Sequence, residues 1–174
     1  GLIKEIGLSN TGPKRLNFLF QKMQKRGIKI NSIQMQFSLL TKPSLEDENI
    51  KNICDENEIE YLAYSPLGLG ILTVPPNQFP KPKTFLRQSL FQRMLPKTIE
   101  LRTLIANIGK KYSASQAQVA LNWVRSHGAK PIVGIRTPFQ AKDASSALNW
   151  SLTKSEKENL DFYRNKCLAN MPQN

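Results

Sequence analysis

Clusters of apolar positions divide the chain into a repeating series of short runs. Ile3 to Leu8 is a β-prone stretch that ends at Ser9-Asn10. Pro13 suits the first turn of a helix, where its missing N–H costs nothing. Leu16, Leu19, Phe20 and Met23 then recur at helical spacing until Lys25-Arg26-Gly27 stops the pattern. A second strand is predicted over Ile30 to Phe37, a second helix over roughly Leu45–Asn57, and a third strand over Ile59–Tyr64. Strands and helices alternating through short connections predict parallel strands joined by crossover helices.

The third strand runs into "AYSPLGLGIL", residues 63–72. Pro66 cannot donate a ladder hydrogen bond, so the strand must stop there. Gly68 and Gly70 let the backbone turn sharply or approach a ligand closely. By itself this segment favours an ordinary turn over the rim of a ligand site. A Pro- and Lys-bearing stretch, "TVPPNQFPKPK", leads into three helical patterns, around Phe85–Gln92, Thr98–Lys111 and Ala114–His127. Ser113 and Gln116 have the spacing of a capping box for the third. "PIVGI" reads as an apolar strand, Pro138 opens a helix to about Leu148, and a last helix covers roughly Lys154–Leu168.

Polar residues fall where these strands end: Ser9-Asn10, Gln34, Tyr64-Ser65 and Arg136-Thr137. In a parallel α/β protein the C-terminal strand ends share one face, and ligands bind there. The coincidence over four βα units predicts a ligand-facing rim.

Composition narrows the partner. The 174 residues suit one domain or part of a larger one, and no apolar run approaches the roughly 20 residues of a membrane-spanning helix. The chain has no initiator Met and opens inside a strand, so its N-terminus reads as a cut or an incomplete beginning. Cys54 and Cys167 lack metal or redox spacing, which predicts free thiols in a reducing, cytoplasmic setting and no metal site. The net charge of +12 invites a nucleic-acid or anionic-ligand reading. The basic residues are dispersed, with neither an RNP-like aromatic stretch nor zinc-finger spacing. An anionic small ligand is expected, and neither a nucleic acid nor a membrane.

"IGLSN", "INSIQMQFSLL", "AYSPLGLGILT", "QVALNWV" and "KPIVGIRTPFQAKDASSALNWSLT" occur in the order and spacing of the aldo-keto reductase landmarks. The chain resembles the C-terminal half of such an enzyme, and its tail "ALNWSLTKSEKENLD" is most similar to pyridoxal reductase-like members. The resemblance implies an α/β fold, strands five to eight of a TIM (β/α)8 barrel, with extra helices after the seventh strand and at the C-terminus. Residues 1–174 would form the C-terminal part of one barrel domain whose N-terminal half is absent.

The same resemblance implies NADPH lying extended across the barrel mouth. Ser9, Asn10 and Gln34 would bind the nicotinamide carboxamide, and Tyr64 would stack on the ring. Ser65, Leu67 and Gly70 would pass along the pyrophosphate, with Lys81, Lys83 and Arg87 further along that loop. Arg136 and Thr137 would face the 2′-phosphate, and Gln140 the adenine. Ala144 stands where many relatives have an adenine-binding Asn, and Asp143 where many have Glu.

No catalytic residue is expected here, because the family's Asp, Tyr, Lys and His lie on the earlier strands. His127 reads as a helix cap beside Gly128, and Tyr61, Tyr112 and Tyr163 lack a proton-relay constellation. The implied function is NADPH-dependent reduction of a small aldehyde or ketone, this chain supplying the cofactor-binding half and its partner half joining in cis or in trans. Alone it is expected to be inactive. The alternative is a truncated, non-catalytic remnant or a dinucleotide-binding subunit without reductase chemistry.

Overall fold

Four strands, β1 (Ile6–Ser9), β2 (Ile30–Gln36), β3 (Glu60–Tyr64) and β4 (Lys130–Ile132), lie in the order β1-β2-β3-β4, and every neighbouring pair is parallel. The computed structural model describes residues 2–41, 45–167, 169 and 171. Helix α1 (Pro13–Gln24) joins β1 to β2, and α2 (Leu45–Glu56) joins β2 to β3. Three helices, α3 (Phe85–Met94), α4 (Ile99–Lys111) and α5 (Gln116–Ser126), separate β3 from β4. Helices α6 (Pro138–Ser146) and α7 (Lys154–Lys166) follow. The α/β class and the parallel sheet are as expected. The expected end of the last helix at Leu168 lies outside the described residues.

The strand period of two sorts the sheet into two unlike faces. Ile33 pairs with Tyr61 and Met35 with Ala63. Ile33, Tyr61 and Ala63 are buried in a core shared with Leu16 of α1, Ile50 and Cys54 of α2, and Trp123 and Val124 of α5. Full burial of one such aliphatic side chain contributes about 1.5–3 kcal/mol. Burial also pushes the Cys54 thiol up to about 11, with the Asp55 charge adding to the effect, so this cysteine is a packing group. Both cysteines are free. The opposite face carries Ser9, Ser32, Gln34, Gln36, Glu60, Leu62, Tyr64, Lys130 and Ile132, in mutual register. Among the described residues, helices pack only on the first face.

The three-helix insertion is pinned from two sides. Arg102 of α4 is fully buried. It donates to Thr98 Oγ1 at 3.1 Å and to the carbonyls of Leu95, Val74 and Pro75 at 2.9, 3.1 and 2.6 Å. On the other side, Asp161 Oδ1 of α7 accepts from Trp123 Nε1 of α5 at 2.8 Å and lies 3.0 Å from His127 Nε2. Phe37 stacks on Trp123 with centroids 5.0 Å apart. His127 is the C-cap residue of α5, as its neighbour Gly128 suggested. Desolvation holds its pKa below the usual imidazole value, against the pull of Asp161.

Three details differ from the sequence expectation. The cap of α5 is Ser115, whose hydroxyl accepts from Gln118 N at 3.2 Å, and not Ser113. Ser113 instead takes φ +52° in the turn that ends α4, where Ala114 N–H donates to the Gly109 carbonyl at 2.8 Å. "PIVGI" is strand only as far as Ile132. Pro131 has no N–H, and among the described residues β4 is an edge with no strand beyond it to extend the ladder. Gln34 does not end its strand: β2 continues through Met35 to Gln36, which pairs with Tyr64.

Candidate functional site

Parallel strands place all four C-terminal ends on one rim, and the expected residues fall there in three stations. At the first, Asn10 follows β1 in the left-handed region, φ +49°. Its backbone N–H donates to the Gln34 carbonyl at 3.0 Å, and its side-chain Oδ1 accepts from the Tyr64 hydroxyl at 3.1 Å. The ends of β1 and β3 are thereby clasped across β2. An amide whose oxygen is engaged keeps its NH2 to offer to a ligand. Ser9 is exposed beside it, and Thr11 Oγ1 donates to the Ser9 carbonyl at 3.1 Å. Gln34 shares the open face with Ser9 and with Gln36. Gln36 Oε1 is buried with no hydrogen-bond partner among the described residues. Gln36 was missed in the sequence, although its two-residue offset from Gln34 placed it on that face.

The second station is the bend after β3. Ser65 (φ +54°) opens a turn closed by Gly68 N–H donating to its carbonyl at 2.9 Å. A 3₁₀ segment, Gly68–Thr73, follows and is broken at Leu69 (φ +54°) and Gly70 (φ +94°). A left-handed leucine is costly and persists only when its surroundings over-determine it. Gly70 N–H donates to the Leu67 carbonyl at 3.0 Å, and Arg87 Nη2 reaches across to the Leu69 carbonyl at 2.6 Å. A Cβ on Gly68 would stand 2.7 Å from Leu40 Cδ1, and one on Gly70 would stand 3.1 Å from Arg87 Nη2. Ser65, Leu67 and Gly70 thus share one strained bend, with Arg87 lying over it. Lys81 and Lys83 stay exposed further along the loop.

The third station begins after β4. Arg136 and Thr137 are exposed at the start of α6, where Thr137 Oγ1 accepts from Gln140 N at 3.2 Å. Gln140 Oε1 accepts from Arg136 N at 2.8 Å, so its carboxamide oxygen serves the cap. The Arg136 guanidinium makes no hydrogen bond or ion pair among the described residues, and with the helix N-terminus it suits an anion.

Between the bend and α6 lies a cleft of about 570 Å³ lined by Thr73, Gly109, Ser113, Ser115, Gln116 and Asp143. Gln116 Nε2 donates to the Leu72 and Val74 carbonyls at 3.2 and 3.3 Å, fixing the far end of the bend. Asp143 accepts from Ser115 Oγ and Gln118 Nε2, each at 2.7 Å. Neither Ser115 nor Gln116 was singled out from the sequence as lining a site. A second, apolar groove of about 630 Å³ runs along β4 between α5 and α6, past Leu121, Val133, Ile135 and Leu148.

A family model described as Aldo/keto reductase family matches residues 1–164. The chain is 38% identical to "Pyridoxal reductase, chloroplastic" of Arabidopsis thaliana, over 100% of this chain and 47% of that protein. It is 27% identical to "NADPH-dependent alpha-keto amide reductase" of Saccharomyces cerevisiae, over 92% of this chain and 44% of that one. Among solved structures, the glycerol dehydrogenase of Gluconobacter oxydans superposes with a TM-score of 0.77 at 24% identity, over 99% of this chain and 52% of its own. The chain spans about half the length of the curated relatives it matches.

Proposed function

Because the chain belongs to the aldo/keto reductase family, we propose that it forms the cofactor-binding, C-terminal half of an NADPH-dependent carbonyl reductase built on a (β/α)8 barrel. The observation that carries this reading is the order of the three stations along one rim. A carboxamide-matching clasp, Asn10–Tyr64, comes first, then a glycine bend with Arg87 lying over it, then Arg136 at the N-terminus of α6.

The residues fit the cofactor at each point. Asn10 offers its NH2 to a carboxamide oxygen, while Tyr64 holds that amide the right way round. The missing Cβ at Gly70 leaves room for Arg87 to lie over the bend, where its guanidinium offers a charged partner to an anion. Arg136 presents a planar, permanently charged fork suited to a phosphate, which favours NADPH over NADH. When bound, the nicotinamide supplies hydride to the carbonyl carbon of a small aldehyde or ketone. This chain's residues bind and orient, and the proton for the carbonyl oxygen comes from the N-terminal half. His127 is engaged with Asp161 at the α5–α7 contact and is assigned no part in that step.

The bare side of the sheet supports the partner half. Parallel sheets occur almost always with both faces covered, yet among the described residues no helix lies over the face bearing Gln34, Gln36, Leu62 and Tyr64. Among the described residues both edge strands lack an outer neighbour, and Ile132, Ile135 and Phe139 are exposed at or beside β4. A second set of four strands would close the barrel, fill its interior and supply partners such as a donor for Gln36 Oε1. Free Cys54 and Cys167 support a reducing, cytoplasmic setting.

Joining the chain to an N-terminal half-barrel, in cis or by co-expression, tests the reading. NADPH oxidation with pyridoxal or a simple aldehyde should be seen for the joined protein and not for the chain alone. A joined, folded protein that binds NADPH without turnover would favour a dinucleotide-binding subunit instead.

A further inference from the structure

The lysines and arginines look dispersed along the sequence, but α1 gathers several of them on one side. Residues 4–29 hold seven of the chain's 25 basic residues and one of its 13 acidic ones. The 3.6-residue period turns the apolar stripe of α1, Leu16, Leu19, Phe20 and Met23, toward the core. It turns Lys14, Phe18, Lys22 and the C-cap Lys25 outward at spacings of three and four residues. Arg15 lies beside them, and Arg26 follows in the turn. All five cations are exposed, and among the described residues none of them forms an ion pair. Phe18 stands 57% exposed in the middle of this arc, with Lys22 Nζ 5.5 Å from its ring centroid. One apolar point is thus ringed by positive charge.

We propose that this face of α1 docks the protein on a lipid bilayer that carries anionic headgroups, with no helix inserted. Charge complementarity selects an anionic partner, and shape and composition select the bilayer among anionic partners. The apolar side of α1 is spent on the core, so Phe18 alone is placed to enter the headgroup layer. α1 lies against the sheet and beside α2, and a helix seated that way cannot enter a nucleic-acid groove. Protein interfaces are depleted in lysine, and three of these five cations are lysines. Fluid headgroups rearrange to meet each flexible side chain, and about four to eight clustered cations hold a protein to such a surface. The helix sits on the covered face of the sheet, so the arc stays outside when the bare face is closed by a partner half. The attachment is independent of the dinucleotide site.

Co-sedimentation of the full chain with vesicles of three parts phosphatidylcholine to one part phosphatidylserine, and with phosphatidylcholine alone, tests this. The chain should pellet with the mixed vesicles only, and salt that shortens the Debye length to about 3 Å should release it. Lys14→Glu, Lys22→Glu and Lys25→Glu together should weaken binding by about a hundredfold or more. The same reversal at three exposed lysines elsewhere, Lys97, Lys142 and Lys154, gives an equal net charge and should cost less than about fivefold. Phe18→Ala should cost about threefold to tenfold. The milder pair Lys22→Gln and Lys25→Gln should still cost about tenfold, so the answer survives a triple variant that does not fold. Binding to neither vesicle, equal binding to both, equal losses from the two triple variants, or a Phe18→Ala without effect would overturn the proposal. So would a single-stranded oligonucleotide or polyglutamate bound more tightly than the mixed vesicles through the same three lysines, which would assign the face to a nucleic acid or to an acidic protein.

Discussion

Tyr64 and Asn10 are joined across an intervening strand by a single hydrogen bond, from the tyrosine hydroxyl to the asparagine Oδ1 at 3.1 Å. The bond ties the end of β3 to the end of β1 and decides which way round the Asn10 amide sits. A rim residue selected for its aromatic face therefore also acts through its oxygen.

Removing that oxygen should be felt in cofactor affinity. Tyr64→Phe is expected to weaken NADPH binding by about 0.5–1.5 kcal/mol, the net value of one hydrogen bond. In an Asn10→Ala background the same change should cost almost nothing. Tyr64→Ala should lose about a further 0.5–1.5 kcal/mol with the aromatic face. Titration of the variants, singly and paired, measures the coupling. Equal Tyr64→Phe penalties in both backgrounds would show that the hydroxyl acts independently of Asn10.

Gly68 and Gly128 both have positive φ, +56° and +75°, yet they should respond differently to alanine. At Gly68 the new Cβ meets Leu40 Cδ1 at 2.7 Å, and Leu40 is itself buried. At Gly128 it meets only the end of the Lys51 side chain, at 3.4 Å. Gly68→Ala should cost about 2–4 kcal/mol, combining the backbone penalty with overpacking. Gly128→Ala should cost about 1–2 kcal/mol from the backbone alone. Thermal unfolding of the two variants side by side checks the order.

Arg102 holds the chain after the bend by donating to the Val74 and Pro75 carbonyls. Arg102→Ala removes a fully buried side chain and its hydrogen bonds, while the Val74, Pro75 and Leu95 carbonyls keep Gln116, Gln78 and Thr98 as donors, so the expected cost is about 2–4 kcal/mol, mainly from the cavity. Arg102→Lys should recover only part, since a single ammonium cannot span the fork. Chemical denaturation gives the stability. Limited proteolysis should show faster cleavage within residues 74–84 of the alanine variant.

Glu156 makes stability depend on acid. Burial opposes its ionisation, but donors prevail: Lys111 Nζ at 2.7 Å, Thr153 N at 2.9 Å and the Tyr112 hydroxyl at 2.9 Å bring it down to about 2. A carboxylate depressed in the fold stabilises fully above its unfolded value of 4.5 and ceases to do so as pH falls through about 2. The melting temperature should therefore fall over that window. Glu156→Gln should flatten this acid limb while lowering the melting temperature at pH 7. An unchanged acid limb in the variant would assign it to other carboxylates.

The sequence carried the element order and the rim because both depend on local signals. Pro13 and Pro138 open helices, Gly27 and Gly128 close them, and Pro66 stops a strand, each by backbone restrictions that act within one or two residues. What stayed hidden depends on contacts between distant residues. Ser113 and Ser115 both precede a helical run, and only the turn around Gly109 assigns one to ending α4 and the other to capping α5. Arg102 looks like a solvated helix residue, yet it borders the stripe of Leu101, Ile105 and Ile108 and finds its partners nearly thirty positions earlier. The Asp143 clamp joins residues separated by 25 and 28 positions, which no spacing rule anticipates.

The sheet order has a kinetic consequence. Each strand pairs with the one that precedes it in the chain, so β1, β2 and β3 can assemble through single-helix crossovers. β4 must wait for the whole three-helix insertion, and closing that long connection is the entropically expensive step. The clasp between Asn10 and Tyr64 therefore matures early. Arg136, Thr137 and α6 follow β4 and take their places late. The two ends of the rim are products of different stages of folding, and a destabilised β3–β4 junction would cost the basic end of the site before the amide end.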